Sequence, residues 1–439
     1  MTNAWIEALF EWIAVRWIAA VAFLCRGGLW WAIGRRYRAM VDFCWVARVS
    51  NVPLLQRLAE RVVFSVIAEA SRTGHNPLLD WYRADRASQR CAELFSLTGH
   101  GSADLLRDLI VLKSATEAEK GVILLKYVRT FSAVVAMFDL RRLMGRYQFV
   151  LEPCWAGYCD PALLMFVTPS QPVVVQCFTE ADHVFISRIG KPFFPVRLGP
   201  ADWVNADVFD VPPTASKRYD LVMVANWALH KRHELLFRAL QAIRDRDLHV
   251  LLVGFPWASR TADNIRREAA ASPNERVHLE IVESIPHAEL AKLLRQCKTF
   301  VFLSKKEGDN KALVEAMFAD VPAIVYDRTI GGAGSRVNAA TGVFASEQAL
   351  AAKIRYMLDH HDEFSPRRWA LEHTGSAVAT RLLNDALHDA VTTFGGAYTY
   401  SIVEKTNAPN LAYKDLSDRI RFRDDYDFIF SCRLGDGRN

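Results

Sequence analysis

Short apolar runs alternate with amphipathic stretches from about residue 119 to residue 359. Runs rich in Val, Ile and Leu are typical of buried strands, and the intervening stretches carry apolar residues at helical spacing. The predicted strands are 121–127, 148–152, 172–177, 194–197, 219–225, 250–254, 277–281, 299–303, 323–326 and 342–345. The predicted helices are 130–145, 231–245, 260–270, 287–297, 310–319 and 346–359. This alternation predicts an α/β fold with parallel sheets, in two similar halves.

The residues outside this alternation fall into segments of different character. Residues 51–118 are predicted to be mainly helical, and a linker is predicted around 205–219, where prolines interrupt the pattern. The tail after residue 393 is long enough to return to the first half. We therefore divide the chain into a helical segment at 1–50, a first domain at 51–214, a second domain at 215–393 and a C-terminal tail at 394–439.

Tryptophan is concentrated in residues 4–33, which hold five of the twelve in the chain. The longest charge-free apolar run, from Trp17 to Cys25, falls far short of the ~20 apolar residues that a membrane-spanning helix needs. Tryptophans with arginines nearby, at 35, 36 and 38, suit the membrane–water interface. A buried helix that covers the core, or a helix that binds a partner, fits the same pattern, so all three readings stay open.

The stretch 299–327 is the most informative part of the chain. An apolar strand leads into a polar loop, and Asp309 is predicted to be the N-cap of the helix over 310–319. Pro322 ends that helix before the next strand. This is a β-loop-α-β unit of an open parallel sheet, in which ligands bind beyond the carboxyl ends of the strands.

Two carboxylates belong to this loop and helix, Glu307 and Glu315, and Gly308 lets the backbone pass close to a ligand. The first helical amides, at Asn310 and Lys311, are expected to be free donors that suit anionic oxygens. An ionised carboxylate only accepts hydrogen bonds, so it suits the hydroxyls of a sugar. Together these contacts describe a nucleoside-diphosphate sugar, although two solvated surface glutamates would have the same spacing.

In spacing and context, the segment from Glu307 to Pro322 resembles the E-x7-E signature of retaining glycosyltransferases of family 4, among the group 1 glycosyl transferases. The resemblance implies the GT-B fold, in which two Rossmann-like domains face each other across a cleft, here with a helical N-terminal extension. It implies that Glu307 is the catalytic residue at the donor sugar and that Glu315 binds the nucleotide ribose. It also implies that no cofactor and no metal is required.

The loop after the strand at 219–225 carries the remaining donor-binding candidates. Family 4 enzymes hold the donor diphosphate with an Arg after this strand and a Lys a few residues later, and Lys231 matches the Lys. Asn226 stands where the Arg is expected, so either Arg232 substitutes for it or the helix amides carry more of the charge. Gly254 resembles the family's glycine at the next strand end. The Gly-rich loop 330–334 could close over the nucleotide or be a plain loop.

Polar residues also follow the strands of the first half. Glu152, Asp160 and His183 lie at or after predicted strand ends, and the crevice rule makes them acceptor-side candidates. Helix capping and loop solvation explain each of them equally well.

Composition narrows the class of protein. A chain of 439 residues with 51% hydrophobic and 23% charged residues is globular and long enough for two or more domains. The net charge of +5 is mild, and no dense basic stripe interleaved with aromatics points to nucleic acid. The eight cysteines are scattered, and the one close pair, Cys154 and Cys159, lacks the partners of a metal site. We interpret them as reduced thiols of a cytoplasmic protein.

The sequence therefore predicts an enzyme that moves a sugar from a nucleotide sugar to an acceptor hydroxyl, in bacterial surface or lipid-linked glycan synthesis. Its expected partners are the nucleotide sugar and a glycan or lipid-linked acceptor. The inner face of the cytoplasmic membrane is a further partner if residues 1–38 lie at the membrane interface. A non-catalytic nucleotide-sugar-binding or scaffold subunit, and another GT-B enzyme such as a sugar-nucleotide epimerase, are the alternatives.

Overall fold

The computed structural model describes residues 13–50, 52–85, 107–153, 160–210 and 217–434. Contacts divide the chain into two compact units. The first unit contains the residues up to Leu198, together with 380–405 and those from Leu411 onward. The second unit contains 199–379 and 406–410. The boundary lies at 198/199, whereas the sequence placed it after residue 214, in a stretch that is partly outside the described residues.

The described residues of the first unit begin with the helices α1 (Ile13–Ala32), α2 (Arg36–Val49), α3 (Pro53–Thr73) and α4 (Pro77–Ala84). Their ends follow local rules. Proline occupies the first turn of α3 and α4, where its missing N–H is not needed. Gly74, at φ 72°, ends α3, and the Asn76 side chain accepts a hydrogen bond from the Leu78 amide to cap α4. Among the helices of the described ranges, none has the length and apolarity needed to cross a bilayer.

The sheet of the first unit has the order β1-β2-β3-β4-β5, and β2 to β5 are parallel. Its strands are β1 (Leu109–Lys113), β2 (Gly121–Lys126), β3 (Tyr147–Glu152), β4 (Val173–Gln176) and β5 (Phe193–Val196). Its helices are α5 (Val128–Met137), α6 (Leu140–Arg146), α7 (Pro161–Leu164) and α8 (Glu180–Ile189). The helical prediction for 51–118 is wrong at β1, which pairs antiparallel with β2. The helix predicted at 130–145 is two helices, α5 and α6.

The second unit holds a six-stranded parallel sheet in the order β11-β10-β9-β6-β7-β8. Its strands are β6 (Tyr219–Val224), β7 (Leu248–Gly254), β8 (Val277–Glu283), β9 (Cys297–Phe302), β10 (Ala323–Tyr326) and β11 (Gly342–Ala345). Its helices are α9 (His233–Gln241), α10 (Ala262–Ala270), α11 (His287–Arg295), α12 (Lys311–Phe318), α13 (Leu350–His360) and α14 (Pro366–His373). The last two strands have the predicted bounds.

Helix α12 is buried on every side from Leu313 to Phe318. It packs against β9, β10, α14 and two short 3₁₀ turns, Pro200–Trp203 and Ala206–Phe209. A helix that is apolar all round needs such a setting. Asp320, at φ 60°, and a hydrogen bond of 2.9 Å from the Val321 amide to the Ala316 carbonyl close its C-terminus before Pro322. The carboxylate of Glu315 is therefore carried on a rigid element.

The end of the chain belongs largely to the first unit. It comprises α15 (Ser376–Thr393), β12 (Lys405–Thr406), β13 (Ala412–Tyr413), α16 (Asp418–Arg421) and α17 (Arg423–Ser431). The Asp425 side chain is buried and accepts hydrogen bonds of 2.7 Å from Tyr147 and Ser114. The predicted fold class, two Rossmann-like α/β units with a helical N-terminal region, is confirmed.

Candidate active site

The candidate site lies at the carboxyl ends of β6 and β9. These strands are neighbours, with Leu221 opposite Thr299, and the strand order of the sheet reverses between them. In open α/β sheets this reversal opens the crevice in which ligands bind. The loop after β6 leads to Lys231, and the loop after β9 leads to Glu307. The fold therefore brings the two loops together at one end of the sheet.

Lys231 and Glu307 are in direct contact at this point. The Nζ atom of Lys231 donates to Oε1 of Glu307 at 2.6 Å, and Nδ2 of Asn310 donates to the same oxygen at 2.9 Å. The other carboxylate oxygen, Oε2, is buried and has no hydrogen-bond partner among the described residues. The Lys231 side chain is only 9% exposed. Two donors thus fix the orientation of Glu307 and leave its second oxygen for another donor.

The backbone around Glu307 is clamped by the loop after β10. The Glu307 amide donates to the Ile330 carbonyl at 2.9 Å, and the Gly332 amide donates to the Gly308 carbonyl at 2.7 Å. Gly331 has a φ of 134°, and a Cβ there would lie 1.8 Å from the Glu307 carbonyl oxygen. Only glycine permits both that conformation and that approach. The Gly-rich loop therefore holds Glu307 in place.

Asn310, and not Asp309, is the N-cap of α12, which corrects the expected cap. The Asn310 Oδ1 atom accepts a hydrogen bond from the Leu313 amide at 2.8 Å, so α12 begins at Lys311. Asp309 is buried and paired with the guanidinium of Arg336 at 2.8 Å. Arg336 also reaches Asp202 at 2.9 Å. Tertiary pairing therefore decides which of two good capping residues faces the helix.

Burial and charge oppose each other in this buried cluster. Burial raises the pKa of the Asp309 carboxyl, and the neighbouring Arg336 guanidinium acts against that rise. Burial acts to lower the pKa of Arg336, but Asp202 and Asp309 outweigh it and the pKa is raised. Removing the arginine would leave two carboxylates in a dry environment, which is costly.

Glu315 has a partner that sequence reasoning did not identify. Its Oε1 atom lies 3.0 Å from Nε2 of His287, the first residue of α11. The His287 ring stands edge-on to Phe209 at 5.3 Å. The Lys311 side chain turns instead to the carbonyls of Asn407 and Pro409, at 2.7 and 3.4 Å. The Lys311 ammonium is thus held away from the N-terminus of α12.

Arg232 adopts a left-handed conformation at φ 63°, just before α9. Its guanidinium bonds to Glu347 and lies 4.7 Å over the ring of Tyr326. Burial acts to raise the pKa of Glu347, but the hydrogen bond and charge of Arg232 outweigh it and lower the pKa. Burial, aided by the charges of Arg260 and Lys231, lowers the pKa of His233 to about 3, so this ring stays neutral at the start of α9.

Asn226 and Gly254 shape the neighbouring loops. The Asn226 Oδ1 atom accepts a hydrogen bond of 3.3 Å from the Ala228 amide, so it stabilises the turn after β6. Gly254 lies against the ring of Trp227, where a Cβ would come within 2.6 Å of the ring and 2.3 Å of the Ala225 carbonyl oxygen. The glycine thus lets the buried Trp227 pack beneath the loop.

The three acceptor-side candidates belong to the first unit and have different surroundings. Glu152 is 1% exposed and paired with Lys405 at 2.9 Å. Asp160 caps α7 by accepting from the Ala162 amide at 2.8 Å, and burial raises its pKa. His183 lies in the first turn of α8, where partial burial and Arg197 lower its pKa. The described strands of this sheet run in sequential order, with no reversal to create a crevice.

Comparison with known proteins defines the class. Residues 205–370 match the family model described as glycosyl transferases group 1. The second unit therefore carries a glycosyltransferase group 1 domain, and the prediction that the protein is a glycosyltransferase is confirmed. A search of curated proteins found no match.

Solved glycosyltransferase structures are similar at low identity. Sucrose-phosphate synthase from Thermosynechococcus elongatus is 17% identical, with a TM-score of 0.48 over 62% of this chain and 74% of that chain. HepE from Anabaena, in complex with UDP and glucose, is 13% identical, with a TM-score of 0.47 over 61% and 78%. A glycosyltransferase from Rickettsia africae is 14% identical, with a TM-score of 0.47 over 70% and 82%.

Proposed function

We propose that this protein transfers a sugar, with retention of configuration, from a nucleoside-diphosphate sugar to an acceptor hydroxyl, as enzymes of family 4 do. The observation that carries the proposal is the contact of Lys231 and Asn310 with one oxygen of Glu307. A cation, a carboxylate and a helix N-terminus meet at the strand-order reversal. This combination suits a ligand that has both anionic and hydroxyl groups.

The diphosphate would bind to Lys231 and to the first amides of α12. An ammonium has three donors, so Lys231 can hold Glu307 and still donate to phosphate oxygens. The N-terminus of α12 favours anionic oxygens through the helix dipole. Negative charge grows on the leaving diphosphate as the sugar bond breaks, and these groups would stabilise it without a metal ion.

The two carboxylates would hold the sugar and the ribose. Oε2 of Glu307 is buried and has no hydrogen-bond partner among the described residues, so the carboxylate would turn to accept from a hydroxyl of the donor sugar. Glu315 keeps one oxygen on His287 and can accept a ribose hydroxyl with the other. The acceptor hydroxyl would attack on the face from which the diphosphate leaves, which retains the configuration at the sugar.

The wider setting is also part of the proposal. The acceptor would be a glycan or lipid-linked saccharide of bacterial surface synthesis, and the reaction would take place in the cytoplasm, at the inner face of the cytoplasmic membrane. Glu152 is 1% exposed and paired with Lys405, so Asp160 and His183 are the better acceptor-side candidates.

The test is transfer from a labelled nucleotide sugar. A panel of nucleotide sugars screened by thermal shift would first identify the donor, since a ligand at a hundred times its Kd stabilises by about 2.7 kcal/mol. Glu307→Gln keeps the size of the side chain but removes its charge, and it should lower transfer by at least about a hundredfold. Glu289→Gln, on the exposed face of α11, is the matched control and should leave transfer unchanged.

Three outcomes would contradict the proposal. Near-normal transfer by Glu307→Gln would remove Glu307 from the mechanism. Conversion of the donor to an epimer would make the protein a sugar-nucleotide epimerase. Donor binding without turnover, in the presence of candidate acceptors, would make it a binding subunit.

A further inference from the structure

Helix α1 exposes an apolar face that the described residues of the first unit do not cover. Trp17 is 49% exposed, Ile18 and Leu29 are each 59% exposed, and Ile33, just beyond the helix, is 57% exposed. The other exposed residues described on α1 are Ala22, Cys25, Gly28, Ala32 and Arg26. Arg26 is the charged residue among these exposed positions, and its guanidinium is bonded to Asp42 at 2.5 Å.

The opposite face of α1 is fixed on α2. Ala20 is fully buried, Gly27 lies where a Cβ would be 3.0 Å from the ring of Phe43, and Phe23 stacks on Trp45 at 5.8 Å. At 100° per residue, the buried and exposed positions fall on opposite halves of the helix. The apolar face is therefore held outward by packing, contrary to the usual pattern of a surface helix.

Arginines are frequent on α1, on α2 and in the turn that joins them. Residues 13–50 contain six arginines and one acidic residue, Asp42, which is already paired. Several guanidinium groups lie over tryptophan rings: Arg36 over Trp31 at 4.0 Å, Arg38 over Trp30 at 5.2 Å, and Arg48 over Trp45 at 5.1 Å. Arginine and tryptophan together are typical of the headgroup region of a membrane.

We propose that α1 docks in the plane of an anionic phospholipid bilayer, with Ile18, Leu29 and Ile33 inserted at the boundary of headgroups and acyl chains. The arginines would contact lipid phosphates, and each basic residue near an anionic surface adds to the attraction. The charge argues against a second copy of the chain as the occupant, because pairing would bring two strongly basic helical regions together. Docking does not depend on the proposed glycosyl transfer; where both hold, it would bring the enzyme to a lipid-linked acceptor.

The experiment is flotation of the full-length protein with phosphatidylcholine vesicles, with and without phosphatidylglycerol. The wild-type protein should float with the anionic vesicles, and added salt should weaken the binding. Ile18→Glu/Leu29→Glu, at two exposed positions that folding does not require, should lower the partition coefficient by more than about tenfold. The matched control, Leu371→Glu/Leu382→Glu, changes two exposed leucines on α14 and α15 and should bind within about twofold of wild type.

Nucleoside-diphosphate affinity, measured on the same samples, separates this proposal from the proposed function and should be equal in all of them. The membrane proposal is overturned if the wild-type protein does not float, or if both double variants float equally well. It is also overturned if sedimentation velocity detects a dimer that Ile18→Glu/Leu29→Glu dissociates, since a second copy would then cover the face.

Discussion

Replacing Lys231 with alanine tests the donor site most directly. The Lys231 side chain is 9% exposed, and its ammonium donates to Glu307 at 2.6 Å. A hydrogen bond to a charged group contributes about 1.5–3 kcal/mol when the site is shielded from water. If Lys231 also holds the donor diphosphate, Lys231→Ala should weaken nucleoside-diphosphate binding by about tenfold to a hundredfold. The effect on folding should be smaller, about 1 kcal/mol, because Glu307 is 22% exposed and keeps the Asn310 donor.

Isothermal titration calorimetry measures the binding part of this prediction. The nucleoside diphosphate and the nucleoside monophosphate are titrated into wild type, Lys231→Ala and the control Lys292→Ala, whose lysine is 59% exposed. The diphosphate should lose affinity in Lys231→Ala alone, and the monophosphate should be little affected, because it lacks the second phosphate. Urea unfolding checks that the variant is folded.

Two results would refute the reasoning. An unchanged diphosphate affinity would show that Lys231 serves only to orient Glu307. An equal loss for the monophosphate and the diphosphate would show that the substitution disturbs the loop as a whole. The first result would leave the N-terminus of α12 as the phosphate-binding group.

Two further predictions concern the framework of the site. Gly331→Ala should lower sugar transfer by at least about a hundredfold, because a Cβ there would lie 1.8 Å from the Glu307 carbonyl oxygen. The control, Gly334→Ala, should be close to wild type in the same assay, because the atom nearest to its Cβ would be 3.9 Å away. Arg336→Leu should lower the free energy of unfolding at neutral pH by about 3–5 kcal/mol, because Asp309 and Asp202 stay buried without their cation. Burial raises the folded-state pKa of Asp309, so folding takes up a proton as the pH falls through that pKa. The free energy of unfolding of the variant, measured with urea, should therefore recover toward acidic pH. A loss of unfolding free energy that stays the same at every pH would contradict this prediction.

Local patterns were enough to predict the sheet of the second unit and the position of its loops. The strands are short apolar runs bounded by polar residues, and β10 and β11 have the predicted bounds. The resemblance to family 4 assigned both Lys231 and Glu307 to the donor site, and the two side chains are in contact. This part of the site depends on signals that lie within a few residues of each strand end.

The errors arose where distant residues decide the local structure. Asp309 and Asn310 are both good N-caps, and only the burial of Asp309 against Arg336 makes Asn310 the cap. The pairing of Glu315 with His287 joins residues 28 apart in sequence, and no spacing rule connects them. β1 was missed because an edge strand that pairs antiparallel is not part of the alternation of strands and helices.

The charge at the start of α9 supports a binding role over a structural one. Lys231 and Arg232 precede the first helical residue, where the helix dipole disfavours positive charge by about 0.3–1 kcal/mol for each residue. Each cation is offset by a carboxylate from elsewhere in the second unit, Glu307 for Lys231 and Glu347 for Arg232. Stability alone would be served as well by neutral side chains at all four positions, because a buried ion pair rarely outperforms an apolar pair of similar volume. Cations lie at this helix N-terminus, and each is paired with a nearby carboxylate. An anionic ligand explains this arrangement better, because its phosphates would bind to the same cations.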